Sequence, residues 1–325
     1  MRVSWWWVVL AGMCSLFTTG ASDPLRDDYR QRAPEFVFDR REFRLDCASW
    51  PSKEPARAGT RVMISSPRAP FRQTREEDLS LSRAQIPALK LAVDLSGSGV
   101  KIAGEEREDW DVRLCAQGEG DTEAEANGKM QDVAMSRMGG TVSVAGRGSE
   151  AISQGRGEML VHAPTDSPVT FHSSYAAVEV RDMHGPVRVS ASHARTTIMD
   201  TTGRVDVNGD VVDFVGAKGT VQLNASSEID LKLTQSTFEG SLTASADRAV
   251  RVLMPPAFRM PLDVLVSKRE NFVCRANLCA SMEAGRKNGW YEFTYKGNGG
   301  AAPVLVNLQS QHGTVIIDTD TRQVL

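Results

Sequence analysis

The sequence between Pro168 and Met254 repeats one short pattern, in which two apolar residues flank a polar one and a polar or glycine-containing turn follows. Alternation with a period of two places the apolar side chains on one face of a strand. The apolar pairs are Val178/Val180, Val187/Val189, Thr196/Ile198, Val205/Val207, Val212/Phe214, Val221/Leu223, Ile229/Leu231 and Val250/Val252. Short strands at regular spacing are typical of stacked coils. We therefore predict an all-β, single-stranded β-solenoid (β-helix).

The spacing of the repeats predicts the length of one coil. Val178 and Val205 lie 27 positions apart, and Val187 and Val212 lie 25 apart. Three short strands per coil fit this spacing and give a triangular cross-section. A coil of two strands is the alternative, because a period near eight residues (~8) also divides the pattern.

One short helix is predicted near the N-terminal end of this domain, from Thr122 to Met135. Thr122 and Glu125 have the spacing of a capping box. Gly128 weakens the helix by about 1 kcal/mol relative to alanine. The apolar residues on one face are Ala126, Met130, Val133 and Ala134.

The N-terminus is typical of an export signal over residues 1–21. Arg2 is followed by the apolar run from Trp5 to Phe17, which is shorter than a membrane-spanning helix requires. An uncleaved anchor is the alternative, and a lipid attachment site at Cys14 is disfavoured because Met13 precedes it. Residues 22–88 are predicted to form an irregular extension, with short strands at 36–38 and 61–64, that caps the solenoid domain of residues 89–325.

Cleavage of the signal would leave four cysteines, which are Cys47, Cys115, Cys274 and Cys279. An even number in an exported chain favours disulfides, and four cysteines allow three pairings. Cys274 and Cys279 are close enough in sequence to form a small loop, so Cys47 would pair with Cys115 by elimination. Four reduced, buried thiols are the alternative. A zinc site is disfavoured because the Cys274–Cys279 segment lacks a second nearby pair of ligands.

The charge balance excludes a nucleic-acid-binding surface. Lysine and arginine number 38 against 41 acidic residues, with a net charge of -3, and the basic residues are spread along the chain. Beyond the signal, no segment is long and apolar enough to span a membrane. No cofactor motif is found.

A glycosidase needs two facing carboxylates roughly 5 to 9.5 Å apart. The candidates are Asp200, Asp206, Asp210 and Asp213. Asp206 and Asp213 should point outward on neighbouring faces, and no pair of aspartates with a basic cluster is expected on stacked positions. We interpret the four as solvated carboxylates, and we predict no catalytic residues.

His172, His184 and His193 lie within a short stretch. A metal site would require them on one side of the stack. Because His184 and His193 fall in predicted turns, we interpret all three as surface residues and predict no metal site.

Three segments resemble a known family. They are Ser98–Gly104 with Trp110–Leu114, the helix carrying Glu123 and Val133, and the closing strands from Val306–Leu308 to His312–Ile317. From about Leu89 onward the chain resembles the bacterial putative-adhesin family, exported domains of mostly unknown function. The resemblance implies a β-solenoid and brings no catalytic residues. This chain differs from the family in having fewer glycines per turn and in carrying cysteines.

Together these features predict a non-enzymatic, exported scaffold or binding surface of the cell envelope, with a glycan or an envelope protein as partner. Periplasmic residence and secretion fit equally. A carbohydrate-active enzyme on the same fold and a periplasmic envelope-stress sensor or assembly partner are the alternatives. Carboxylates stacked in a groove on one face would favour the enzyme.

Overall fold

The computed structural model describes residue 47 and residues 71–95, 97–146, 155–297 and 306–320. These residues form an all-β structure with one α-helix, as predicted at that level. The predicted signal at 1–21, Cys14 and the strands expected at 36–38 and 61–64 lie outside the described residues. Among the residues described, no helix combines the length and the apolar character needed to cross a bilayer.

The helix α1 (Glu123–Asp132) lies between β4 and β5, and two short 3₁₀ helices, Arg269–Asn271 and Asn277–Ser281, lie on either side of β16. The strands of the N-terminal half are β1 (Phe71–Leu81), β2 (Leu89–Asp94), β3 (Gly99–Glu105), β4 (Trp110–Gly120), β5 (Val133–Met138), β6 (Thr141–Gly146), β7 (Arg156–Pro164), β8 (Val169–Ser173), β9 (Ala177–Arg181) and β10 (Val187–Met199). Those of the C-terminal half are β11 (Arg204–Gly216), β12 (Lys218–Leu233), β13 (Glu239–Ala246), β14 (Ala249–Met254), β15 (Leu262–Val266), β16 (Phe272–Cys274), β17 (Glu283–Lys287), β18 (Trp290–Tyr295), β19 (Val306–Ser310) and β20 (Thr314–Thr319).

Most of these strands pair in parallel and form two ladders, which we call ladder A and ladder B. The long strands β10, β11 and β12 contribute their first halves to ladder A and their second halves to ladder B. Ladder A runs in the order β6, β2, β8, β10, β11, β12, β13, β19 and β15. Ladder B runs in the order β7, β3, β9, β10, β11, β12, β14, β20 and β16.

The register of the ladders corrects the predicted coil length. Val187 pairs with Val205, and Val205 pairs in turn with Val221. The predicted coil from Val187 to Val212 is wrong, because Val187 lies in ladder A and Val212 in ladder B. Between one strand of ladder A and its next neighbour in that ladder, the chain passes once through ladder B. One repeat therefore contains two strands, one in each ladder, and not the predicted three.

The apolar alternation correctly predicts the core. All of the paired positions named from the repeat are buried, including the polar Thr196. They belong to one continuous cluster in which β-branched side chains predominate. Side chains at register positions lie on neighbouring strands, about 4.8 Å apart, so they stack directly. This stacking is the main source of stability in the ladders, at roughly 1.5–3 kcal/mol for each fully buried Val or Leu.

Both ends of the ladders depart from sequence order, and three of the four ladder ends, at β6, β15 and β7, are bordered by antiparallel strands. At one end β2 lies between β6 and β8, and at the other β19 lies between β13 and β15. The bordering strands are β5 on β6, β4 on β7, β1 on β4, β18 on β15 and β17 on β18. Changing direction at the ends prevents the parallel stacking from continuing onto another chain.

The segment predicted as an irregular extension contains a regular strand in its last part. Residues Phe71–Leu81 form β1, which pairs with the whole of β4. The strand carries little apolar alternation, and its side chains are held by ion pairs such as Arg72–Glu119 and Arg113–Asp78. Because backbone pairing and charge create this strand, the apolar pattern did not indicate it. The boundary at residue 88 stays a prediction.

The helix is shorter than predicted. Thr122 accepts a hydrogen bond from the amide of Glu125 at 3.2 Å, and the Glu125 carboxylate accepts from the amide of Asp121 at 3.0 Å. The cap therefore forms, although the glutamate reaches one residue further back than a capping box requires. The helix ends at Asp132, and Val133 already begins β5, because the β-branched valine packs better in the strand.

The two disulfides are paired as predicted. Cys47 is bonded to Cys115 and Cys274 to Cys279, with sequence separations of 68 and 5 residues. Cys115 lies in β4, so the first bond fixes residue 47 next to the antiparallel end of ladder B. The second closes the segment that follows β16.

Candidate functional site

The two ladders present different outer faces, and the outer face of ladder B carries a cluster of paired charges around the buried Asp213. Asp213 pairs in register with Asp230, and Asp230 pairs with Arg251. Arg195 Nη1 lies 2.5 Å from Asp213 Oδ2. Arg251 contacts Asp230 Oδ1 at 2.5 Å and Glu228 Oε2 at 2.6 Å. We call these five residues the charged cluster.

The charged cluster corrects the interpretation of the aspartates. Asp213 is 6% exposed, so it is not a solvated carboxylate. Asp213 and Asp230 occupy stacked positions with two arginines beside them, which the sequence analysis did not expect. The reason is the register, in which only one strand segment, the ladder A half of β12, lies between Asp213 and Asp230 along the chain.

Burial also governs the protonation of this cluster. Desolvation raises the pKa of Asp213, and the charge and hydrogen bond of Arg195 act in the opposite direction. The pKa of Asp230 is likewise raised by burial and opposed by Arg251. Each carboxylate is compensated by an arginine, which suits a structural ion-pair network. A general acid or nucleophile must reach its substrate, and burial places these groups away from the exterior.

The outer face of ladder A is open and mostly neutral. Its central line of register partners, which we call the neutral row, consists of His172, Ser190, Asn208, Asn224, Ser245 and Gln309. His172 and Asn208 are exposed, and the other four are half-buried. Asn224 Nδ2 donates a hydrogen bond to Asn208 Oδ1 at 3.1 Å. The neutral row thus presents hydroxyl, amide and imidazole groups at each successive strand.

A shallow groove of about 290 Å³ adjoins the neutral row where ladder A turns into ladder B. Ser226 donates a hydrogen bond to Asp210 at 2.8 Å beside it. The lining residues are Asn208, Gly209, Asn224, Ala225, Ser226, Ser245, Asp247 and Gln311. Three of them belong to the neutral row, so the groove and the row form one continuous surface.

An exposed aromatic pair stands at the His172 end of the same surface. Tyr175 is 53% exposed, and its ring stacks on that of His193 with centroids 5.6 Å apart and planes 18° apart. Tyr175 follows His172 by three positions, and His193 follows Ser190 by three. His193 has a φ of 54°, a left-handed conformation at the bend of β10 that turns its ring onto Tyr175.

A second groove, of about 590 Å³, lies at the opposite turns and is strongly charged. Its lining includes Glu105, Arg107, Asp166, Asp182 and His184. Burial raises the pKa of Asp182, and the charge of Asp200 raises it further, against Arg181 and His184. His184 Nδ1 lies 3.7 Å from Asp166 Oδ1. Five carboxylates and two arginines line this groove, so it is acidic overall.

The structure does not bring the three predicted surface histidines together. His172 lies on the neutral row, His184 in the charged groove and His193 against Tyr175. Within the described ranges, no group of three or more His, Cys, Asp and Glu side chains is arranged to hold a metal ion. Asp200 and Asp210 lie at opposite turns, and Asp206 lies on the outer face of ladder A, 3.7 Å from Arg188.

The sequence analysis missed the neutral row. Its residues are single polar positions between apolar ones, so nothing in the sequence distinguishes them from other outward residues. Only the register aligns Asn208, Asn224 and Ser245. The available signal was the recurrence of Asn or Ser one position after an inward residue, which begins at Ser190 and continues through these three.

No protein-family model matches this sequence, and no curated protein matches it. Solved structures do match it. A putative cell adhesion protein from Clostridium sporogenes shares 10% identity over 76% of this chain and 100% of its own, at a TM-score of 0.33. A putative adhesin from Bacteroides fragilis shares 7% identity over 77% of this chain and 98% of its own, at a TM-score of 0.26.

This chain resembles proteins named putative adhesins. A third such protein, from Parabacteroides merdae, shares 7% identity over 76% of this chain and 96% of its own, at a TM-score of 0.27. The names agree with the family resemblance noted in the sequence.

Proposed function

We propose that this chain is an exported, non-enzymatic β-solenoid that serves the cell envelope as an adhesin-like binding scaffold. The observation that carries the proposal is the contrast between the two outer faces. On ladder B the outward charges pair with one another around the buried Asp213. On ladder A the neutral row presents uncharged polar groups beside a groove, and its His172 and Asn208 are exposed. An open row of hydrogen-bonding groups is suited to binding an extended partner.

The solenoid winding is supported by the order in which the chain visits the ladders. From β8 to β14 the chain alternates between ladder A and ladder B, and each return adds one strand beside the previous one in parallel. Parallel neighbours formed in this way are what a β-solenoid requires. We infer two strands per coil, one in each ladder, with Val187, Val205 and Val221 as register partners on successive coils.

Export is supported by the cysteines. Disulfides persist in oxidising compartments and are rare in the cytosol. Both bonds use the cysteines that would remain after removal of residues 1–21, which have the pattern of a signal. Either the periplasm or the exterior would supply the required conditions.

The proposal is tested by exposing residues 22–325 to a glycan array, to common soluble polysaccharides and, in a pull-down, to an envelope extract. We expect retention of at least one glycan class without release of reducing sugar or unsaturated uronate. Release of either product would contradict the non-enzymatic function and favour a lyase or hydrolase. Retention of an envelope protein in place of any glycan would favour the assembly-partner alternative.

A further inference from the structure

We propose that the surface formed by the neutral row and its groove binds an uncharged polysaccharide, lying across the strands of ladder A. This inference rests on the proposed binding function and names its ligand class. It begins from the chemistry of the neutral row, whose six side chains include two amides of asparagine, one of glutamine and two hydroxyls. These groups both donate and accept hydrogen bonds, as a sugar hydroxyl also does.

The spacing of the neutral row suits a polymer. Register partners repeat at every strand, about 4.8 Å apart. From His172 to Gln309 the row crosses β8, β10, β11, β12, β13 and β19. A ligand of repeating units lying along this line meets a hydrogen-bonding group at each step. A compact ligand would use only one or two of them.

The charge of this surface argues against a polyanionic ligand. The neutral row carries no lysine, arginine, aspartate or glutamate. Arg188 lies near Asp206 on the adjacent line, and the groove adds the carboxylates of Asp247 and, beside it, Asp210. A polyanion would find no row of cationic side chains on this surface, and the neighbouring carboxylates would repel it.

The asparagine pair retains capacity for a ligand. An asparagine side chain offers two donors and an acceptor with two lone pairs. The bond between Asn224 and Asn208 uses one donor of the first and one lone pair of the second. It also fixes the orientation of both amides, so that little conformational entropy is lost when a ligand binds.

The aromatic pair provides an apolar contact at one end. Sugar rings carry C–H groups that pack on exposed aromatic faces, and the flat surface of Tyr175 is held in place by His193. Tyr175 is among the exposed large hydrophobic side chains of the described residues. Tyr175 lies three positions after His172, in the connection between β8 and β9, so it borders the neutral row on the side towards ladder B.

The test measures binding of dextran, xylan and β-glucan, with alginate and heparin as anionic probes, by residues 22–325. We expect the double variant Asn208→Ala/Asn224→Ala to bind its neutral polysaccharide at least about tenfold more weakly. Tyr175→Ala should weaken binding about three- to tenfold. Asn127→Ala is the matched control and should bind like the wild type. Asn127 is an exposed asparagine of α1, a helix that belongs to neither ladder.

Salt dependence provides a second readout. Binding to a neutral ligand should change less than about twofold between roughly 0.05 and 0.5 M NaCl, because no ion pairs form. Thermal unfolding of each variant verifies its fold. If the double variant does not fold, Tyr175→Ala, whose side chain is mostly solvent-exposed, still tests the surface.

The outcomes separate this inference from the proposed function. Wild-type binding of only alginate or heparin, lost at high salt, would overturn the inference and leave the binding scaffold in place. Neutral-glycan binding unaffected by either the double variant or Tyr175→Ala would also overturn the inference. A wild type that retains no glycan and no envelope protein would contradict both.

Discussion

Arg251 joins two carboxylates that would otherwise repel each other on the outer face of ladder B. Its side chain is 18% exposed, and those of Asp230 and Glu228 are 15% and 14% exposed. Removing three charges from water costs free energy, and ion pairing offsets that cost only where the geometry is good. At the scale of single residues, stability therefore depends more on where a charge lies than on how many ion pairs the chain contains.

Replacement of Arg251 by alanine should lower the free energy of unfolding by about 3 kcal/mol, because two buried carboxylates lose their cation. Arg188→Ala is the matched control. Arg188 is 64% exposed and 3.7 Å from Asp206, so its loss should cost less than about 0.5 kcal/mol. Urea denaturation measures both variants, and equal effects would contradict the burial argument.

The effect of Arg251→Ala should also depend on pH. Burial raises the pKa of Asp230 above its ordinary value of 3.8 in the folded state. A raised carboxyl pKa contributes stability at low pH that is lost as the pH rises through that pKa. The penalty of the variant should therefore shrink as the pH falls from about 7 towards 4. A penalty that stays constant over this range would show that packing, and not charge, is lost.

Asp182→Asn should stabilise the protein slightly at neutral pH. The pKa of Asp182 is raised by burial and by Asp200, so its ionised form is disfavoured in the folded state. Asp182 has a φ of 56°, which asparagine tolerates. The gain should be less than about 0.5 kcal/mol because the site is exposed, and it should vanish below pH 3.8. Thermal unfolding at several pH values measures it, and a loss of stability at pH 7 would contradict the assignment.

At the scale of the elements, the apolar alternation predicted most strands and their inward faces from sequence. It could not predict register, because one valine packs against another equally well in several alignments. For that reason the predicted coil length was wrong, the stacking of Asp213 on Asp230 was not expected, and the neutral row was not found. β1 escaped detection because ion pairs and backbone bonds, and not apolar residues, hold it on β4.

Two glycine-to-alanine substitutions should act in opposite directions. Gly240 has a φ of 124°, and a Cβ there would lie 2.2 Å from the carbonyl oxygen of Gly219 on the neighbouring strand. Gly240→Ala should therefore cost at least about 2 kcal/mol. A Cβ on Gly128, inside α1, would meet no atom within 4 Å, so Gly128→Ala should gain about 0.5–1 kcal/mol. The denaturation midpoints of the two variants measure these effects. A Gly240→Ala variant as stable as the wild type would contradict the close stacking of β12 on β13.

At the scale of the whole molecule, non-local connections hold the described residues together. Near the N-terminal end the early strand β2 lies between the later strands β6 and β8, and near the C-terminal end the late strand β19 lies between β13 and β15. The disulfide from Cys47 to Cys115 adds a covalent link across 68 positions. Because a disulfide persists when the chain unfolds, a bond that closes a long loop restricts the unfolded chain more than one that closes a short loop.

The two disulfides should therefore contribute unequally. The loop-entropy relation gives about 4 kcal/mol for a 68-residue loop and about 2 kcal/mol for a 5-residue loop. Cys47→Ser/Cys115→Ser should thus destabilise the protein more than Cys274→Ser/Cys279→Ser. Guanidinium denaturation of the two double variants measures the difference, and the reverse order would show that native-state contacts outweigh loop entropy.

The central claim is that successive runs of the chain place their strands side by side in ladder A, as at Ser190 and Asn208. Engineered cysteines test it most directly. Because these two residues are register partners, Ser190→Cys/Asn208→Cys should form a disulfide on mild oxidation, seen by mass spectrometry of peptides. The variant Ser190→Cys/Val215→Cys should not form a disulfide, although the three-strand coil predicted from the sequence would bring these two positions together. Cross-linking of the second pair instead of the first would contradict the account.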